Sequence, residues 1–398
     1  MNNAVMIWDA LSANHVDKVA YLPCNKLNAL MKQVPDGVEV MNITRESVGL
    51  GLCFGRSLAG RRSAMMIQNT GLGNLITELY TMQKLYQEGL PIFVSWRGHY
   101  KEPIEAQVIL GNKIEDLLKA IDVEYRILKC AEDVNEVERD VAQCFTENKV
   151  RVFLSSPEVW EDNSPDYHVF GRPRLKPVAV ETVAYQGEPG LERIQAIKVI
   201  MANVGNDDVV ISQIGFPSKE LYNTKDRPLN FYMLGSLGSA TEVGIGFAEE
   251  AGDRHVYVID GDGSFFFNPN QLIDLAAYDP QNLTVICLDN GSWGSTGNQP
   301  TMSSQGMNLS AITRSMGVDS VVTTDDVSEL EQALQNKTRF VHFMIRAGND
   351  KAGGDIPMKA VEIKDRFMQP RPNVSLGMAT VKESAPLAVG EKYWQPII

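Results

Sequence analysis

Asp260-Gly261-Asp262-Gly263-Ser264 is followed, about 27 residues after Gly263, by Asn290 in Leu288-Asp289-Asn290-Gly291. Asp262 offers a hard carboxylate oxygen and Asn290 an amide oxygen. A main-chain carbonyl at Gly291-Ser292 would give a third ligand, so Ser292 joins the candidate set. Three oxygens of this kind suit Mg2+, which prefers near-octahedral oxygen ligation and keeps phosphate oxygens and water in its shell. Gly261 and Gly263 let the backbone come close to a diphosphate, with the N–H groups of Gly263 and Ser264 available to it. A lone Gly-Asp-Gly would equally fit an ordinary strand–helix turn. The asparagine at this distance favours the metal–diphosphate reading.

These residues need a scaffold that brings them together. Val256–Asp260 and Leu283–Leu288 read as buried strands. Asn268 reads as an N-cap, Pro269 as the first helical residue, and Leu272, Leu275 and Ala276 as the apolar stripe of the helix between them. A strand–helix–strand unit of this kind puts Asp262 and Asn290 at carboxyl ends of strands, where open α/β sheets bind ligands.

The Gly-Asp-Gly…Asn pattern resembles the signature of thiamine-diphosphate enzymes. The usual form ends in Asn-Asn; here it is Asp289-Asn290, and the second position carries the metal ligand. The resemblance implies thiamine diphosphate and Mg2+ as cofactors. It also implies a carboxylate against the aminopyrimidine ring, and Glu46 in Ile43-Thr44-Arg45-Glu46-Ser47 is the candidate catalytic residue. Taken alone, a glutamate opening a helix is a routine dipole partner. Asn69, Thr70 and Gly71, within Gln68–Asn74, are expected to line the pyrimidine pocket. In Leu234-Gly235-Ser236-Leu237-Gly238, the Gly235 carbonyl would face the pyrimidine amino group and Leu237 would support the bent cofactor. In this family the two domains meet across a subunit boundary, with Glu46 from one chain and Asp262 from another, which implies self-association into at least a dimer.

The 398 residues suffice for two domains of ordinary size. The fold class expected is α/β: two tandem doubly wound parallel-sheet domains without the middle domain that many members carry. In the first, strands are expected at Val19–Pro23, Glu39–Ile43, Ser63–Gln68, Pro91–Trp96 and Arg151–Ser155. Helices are expected at Ser47–Ala59, where Gly49, Gly51 and Gly55 would allow close packing, and at Gly111–Ala120. The expected divisions are a pyrimidine-binding domain at 1–162, a Pro-rich linker at 163–190, a diphosphate-binding domain at 191–372 and a tail at 373–398.

The short chain is similar to small two-domain decarboxylases of 3-sulfonated and 3-phosphonated pyruvates. Gly215-Phe216-Pro217-Ser218-Lys219-Glu220-Leu221-Tyr222 and Ser295-Thr296-Gly297-Asn298-Gln299 resemble the sulfonate branch, whose two domains are often separate subunits. The resemblance implies conversion of 3-sulfopyruvate to sulfoacetaldehyde and carbon dioxide on the route to coenzyme M, with 3-phosphonopyruvate as the alternative substrate. A small anionic 2-oxo acid needs cationic or N–H donors. Arg97, His99, Lys101, Ser295, Thr296, Asn298 and Gln299 are the candidates, beside the plainer readings of Arg97 as a surface ion pair and His99 as a solvated loop histidine. Ser218 would bind diphosphate at its helix start, or cap that helix. An acetolactate-synthase-like carboligase is disfavoured by the missing middle domain. A non-catalytic scaffold of the same fold needs neither Glu46 nor the Asp262/Asn290 pair.

A net charge of −13 disfavours nucleic acid as a partner. No apolar run is long enough to span a membrane, and five scattered cysteines without a Cys-x-x-Cys pair point to a reducing compartment. The expected location is the cytoplasm.

Overall fold

A computed structural model describes residues 2–159, 187–349 and 353–369. Most of the expected linker and all of the expected tail lie outside the described residues. Fourteen strands are formed: β1 (Val16–Tyr21), β2 (Glu39–Asn42), β3 (Arg62–Gln68), β4 (Leu90–Ser95), β5 (Glu124–Leu128), β6 (Val150–Ser155), β7 (Val209–Ser212), β8 (Asn230–Tyr232), β9 (Val256–Gly261), β10 (Leu283–Asp289), β11 (Ser292–Trp293), β12 (Gln299–Pro300), β13 (Val321–Thr324) and β14 (Phe340–Met344). Two six-stranded sheets have the orders β2-β1-β3-β4-β6-β5 and β13-β14-β10-β9-β7-β8. Every pairing in both is parallel. Read from its other edge, the second sheet repeats the topology of the first, strand for strand. The central strands β4, β9 and β10 are buried along their whole length. That is why their sequences run continuously apolar rather than alternating: helices cover both faces.

The equivalence of the sheets positions the site. Glu46 follows the second strand of the first domain, and the Leu234–Gly238 turn follows the second strand of the second. The helices that continue from them, Glu46–Leu58 and Ala240–Ala248, pack against each other. A Cβ on Gly55 would lie 2.1 Å from the Val243 carbonyl oxygen, and one on Gly246 would lie 2.2 Å from that of Leu52. Glycine is required on both helices because their backbones touch. Gly55→Ala should therefore force the helices apart and destabilise the protein by about 1–3 kcal/mol, measured as a lowered midpoint in urea unfolding.

Two local expectations change. The helix expected over Gly111–Ala120 forms over Ile114–Ala120, and a further helix, Glu105–Gly111, precedes it. Gly111 is held where a Cβ would come within 2.2 Å of the Arg97 carbonyl, and its own carbonyl accepts from Trp96 Nε1 at 2.9 Å. Between β9 and β10 there are also two helices, Asp262–Phe267 and Asn270–Tyr278. Asn268 closes the first rather than capping the second. Its amide donates to the Gly238 carbonyl at 2.7 Å and to Glu242 at 2.8 Å. Among the described residues no helix is long and apolar enough to cross a membrane.

Candidate active site

β9 ends at Gly261, and Asp262 opens the short helix that follows. Its carboxylate is buried, at 2% exposure, and accepts the Thr301 hydroxyl. The neighbouring strand β10 ends at Asp289, so Asn290 stands beside Asp262 in the sheet order. Asp289 is held from three sides. Its Oδ1 accepts the Gly291 N–H at 2.8 Å, and its Oδ2 accepts the Ser303 hydroxyl and lies 2.7 Å from His342 Nε2. His342 Nδ1 in turn meets Ser310 Oγ at 2.9 Å.

Electrostatics separate the two aspartates. Burial, then the charge of Asp289, push the Asp262 carboxyl well above its ordinary value. Burial also acts upward on Asp289, but the hydrogen bond and charge of His342, with Ser303 and the Gly291 N–H, outweigh it and keep Asp289 below its ordinary value. A cation beside Asp262 would relieve both the burial of its charge and the repulsion from Asp289.

A cavity of about 200 Å³ lies at these strand ends. Gly261, Asp262, Gly263 and Ser264 line it together with Asn290, Ser292, Ser295, Thr296 and Leu237. The Trp293 ring packs over Gly263, where a Cβ would be 2.6 Å from the ring. Ser292 Oγ is buried without a partner among the described residues. Its carbonyl accepts the Gly294 N–H at 3.0 Å. The Asn290 amide oxygen accepts the Ser292 N–H at 3.1 Å, and with the buried Asp262 carboxylate and the Ser292 carbonyl around one cavity it fits a metal-bound diphosphate. A larger groove, about 860 Å³, runs along edge strand β5. Its Arg126, Arg139 and Arg151 pair with Asp140, and none of the motif residues reaches it.

Glu46 is 6% exposed. Asn74 Nδ2 donates to its Oε2 at 3.0 Å, and Gly71 faces Oε1 so closely that a Cβ would sit 2.0 Å away. The Leu234–Gly238 turn is held by the first domain. Thr81 and Ser236 hydroxyls bond at 2.7 Å, the Tyr86 hydroxyl accepts the Leu234 N–H at 2.8 Å, and Gly235 abuts Thr81. Glu46 is not among the residues that line the cavity around Asp262.

Several expected ligands are committed elsewhere. Asn69 is fully buried and brackets the Arg97 backbone, donating to its carbonyl at 2.9 Å and accepting its N–H at 3.1 Å. The Thr70 hydroxyl accepts the Gln68 amide. Ser218 is buried, and its hydroxyl donates to the Gln213 carbonyl at 2.7 Å, so it braces the end of β7 rather than facing the cavity. Arg97 is locked on Glu102, and its remaining Nη1 reaches Gln68 at 3.2 Å and Asn25 at 3.4 Å. His99 stacks on Trp96 at 4.0 Å, and burial with the nearby Lys129 charge holds its pKa below the ordinary value. A neutral, stacked ring is a poor anion binder. Lys101 is fully exposed beside its neighbour Tyr100. In the Gly294–Thr301 segment Gly294, Ser295 and Thr296 line the cavity. Gln299 folds back on Thr296, and Asn298 occupies an exposed left-handed position, φ 59°.

Arg193, Asn349 and His342 are the site residues that sequence reading misses. They come from outside the motif segments, and no spacing links them to it.

Residues 213–344 match the family described as thiamine pyrophosphate enzyme, C-terminal TPP binding domain. The chain is 33% identical over 381 residues to sulfopyruvate decarboxylase of Methanosarcina acetivorans, covering 93% of this chain and 97% of that protein. It is 31% identical over 383 residues to phosphonopyruvate decarboxylase of Streptomyces viridochromogenes, covering 92% and 94%. The separate sulfopyruvate decarboxylase subunits of Methanococcus maripaludis each match part of it. The beta subunit is 35% identical over 45% of this chain and 96% of its own length; the alpha subunit is 32% identical over 36% and 87%. Benzoylformate decarboxylase from Polynucleobacter necessarius has the same fold, with a TM-score of 0.69 at 13% identity over 88% of this chain and 99% of that one. The chain belongs to the thiamine-diphosphate-dependent decarboxylases, in the family that contains sulfopyruvate and phosphonopyruvate decarboxylases.

Proposed function

We propose that the protein converts 3-sulfopyruvate to sulfoacetaldehyde and carbon dioxide, on the route to coenzyme M, with thiamine diphosphate and Mg2+. The observation that carries the reading is the buried Asp262 carboxylate beside Asn290 at adjacent strand ends, around a cavity floored by Gly261 and Gly263. Asp262, Asn290 and the Ser292 carbonyl would hold the ion, and the Gly263 and Ser264 N–H groups the diphosphate. When bound, the cofactor supplies the electron sink that loss of carbon dioxide from a 2-oxo acid requires.

The chain's own residues do the rest. Glu46 is shielded from water, so its carboxyl can exchange a proton with a ring nitrogen rather than with solvent. Asn74 fixes Oε2, and the absence of a side chain at Gly71 leaves Oε1 room. Leu237 supplies apolar bulk at the cavity. The sulfonate assignment rests on similarity along nearly the whole chain to a sulfopyruvate decarboxylase.

Self-association belongs to the same reading. The helix crossing that joins the domains here is a surface that two chains can exchange, and the relatives' separate alpha and beta subunits show that this fold works without a covalent link between its halves. Five free cysteines fit a reducing cytoplasm.

The test is aldehyde formation from 3-sulfopyruvate and 3-phosphonopyruvate in parallel, with thiamine diphosphate and Mg2+ present. A higher kcat/KM for sulfopyruvate is expected. A preference for phosphonopyruvate would move the substrate assignment and leave the cofactor site intact. No aldehyde from either would sink both substrates.

A further inference from the structure

Among the described residues that line the cavity, Arg193 is the only cation. It is 7% exposed and opens the helix Arg193–Asn203. One edge of its guanidinium is fully engaged. Nε and Nη2 donate to the two carboxylate oxygens of buried Glu220, each at 2.9 Å, and Nη2 also donates to Asn349 Oδ1 at 2.6 Å and toward the Gly348 carbonyl at 3.4 Å. Asn349 Nδ2 continues to the Gly294 carbonyl at 2.7 Å. Arg193 is thereby tied to the segment whose Ser295 and Thr296 line the same cavity.

The other edge is free. Nη1 donates to nothing among the described residues and is not sealed from solvent. The contrast with Arg97 is direct. Both arginines lie in bidentate pairs with a glutamate, but Arg97 also spends Nη1, on Gln68 and Asn25. An arginine pinned along one edge and open along the other, in a cavity, is pre-organised for a planar grip on an oxyanion.

We propose that Arg193 is the oxyanion-reading residue of this cavity, holding a tetrahedral phosphate or sulfonate oxygen with its Nη1 edge while Glu220 and Asn349 fix its orientation. The oxyanion has two possible sources, the cofactor's diphosphate or the acidic head of the substrate. The assignment rests on the cofactor reading above.

Arg193→Gln alone would remove the bidentate Arg193 pair from the buried Glu220 carboxylate, so the test uses Arg193→Gln with Glu220→Gln. It also uses Arg193→Lys, which keeps an ion pair with Glu220 but has no second edge. Isothermal titration of thiamine diphosphate and of thiamine, both with Mg2+, is run beside steady-state kinetics. If the diphosphate is the partner, both variants should bind thiamine diphosphate about 10- to 100-fold more weakly, the worth of one charge-assisted hydrogen bond, with thiamine affinity unchanged. If the substrate is the partner, cofactor affinity holds and KM for sulfopyruvate rises by a similar factor at retained kcat. Unchanged cofactor affinity with unchanged KM, in either folded variant, overturns the role of Arg193. Wild-type protein that does not take up thiamine diphosphate overturns the cofactor reading itself, and the role of Arg193 with it.

Discussion

Replacing Glu46 by glutamine is expected to lower kcat by about 10²–10⁴-fold, the usual worth of a positioned acid–base group, while leaving affinity for thiamine diphosphate nearly unchanged. The geometry separates the two effects. Glutamine is isosteric, so its amide oxygen can still accept from Asn74 Nδ2, and its end still fits against Gly71. Helix packing is untouched, because the Gly51–Gly55 stretch that meets Ala240–Ala248 lies further along. What is lost is a group that can carry a proton. Cofactor titration and single-substrate kinetics on the same preparation check both halves. Wild-type turnover in the variant would remove Glu46 from the mechanism, and loss of cofactor affinity would make it a binding residue instead.

Locality decides how much of this site can be read from sequence. Asp262 and Asn290 stand out because each terminates a continuous apolar run, and a parallel sheet buried on both faces makes such runs unmistakable. Glycines in the Glu46 helix announce close packing, and the structure supplies the partner, the glycine-containing helix Ala240–Ala248. Strands β5 and β13 are harder to see. They lie at sheet edges, and β5 reads Glu124-Tyr125-Arg126-Ile127-Leu128, with only Leu128 buried.

Polar side chains are the least legible, because their partners lie far along the chain. Asn268 looks like an N-cap, yet its amide bridges Gly238 and Glu242. Asn69 looks like a pocket residue, yet it closes on the Arg97 backbone 28 positions away. Arg97 attracts attention by following a buried strand, whereas Arg193 carries no local signal. Its standing depends on Glu220, Asn349 and Gly294, which only the fold assembles. Charge and position in sequence cannot tell which arginine has a free edge.

Asp262→Asn is expected to separate binding from stability. Without the carboxylate the site keeps an amide at Asn290 and a main-chain carbonyl, too little charge for a hard dication. Magnesium-dependent uptake of thiamine diphosphate should fall by about 100-fold or more, in line with loss of a buried charged ligand. Unliganded protein should respond in the other direction. Burial and the Asp289 charge raise the Asp262 pKa in the folded state, so the unfolded chain gives up this proton first as pH rises. Between the ordinary carboxylate pKa of about 4 and the raised folded value, the folded state therefore holds more protons. Its stability falls with rising pH over that window and stays reduced above it. Asparagine removes the term. At about pH 8 the unliganded variant should melt above the unliganded wild type, and the gap should close as pH drops toward about 4. Thermal melts with and without thiamine diphosphate and Mg2+ read both effects: at a ligand concentration near the wild-type Kd, ligand raises the wild-type melting temperature and leaves the variant's nearly unchanged. A variant that gains as much stability from the ligand as the wild type would show that Asp262 is not the ion's anchor. One that melts lower than wild type without ligand at high pH would show that burying the Asp262 charge, beside Asp289, is not a cost of the unliganded fold.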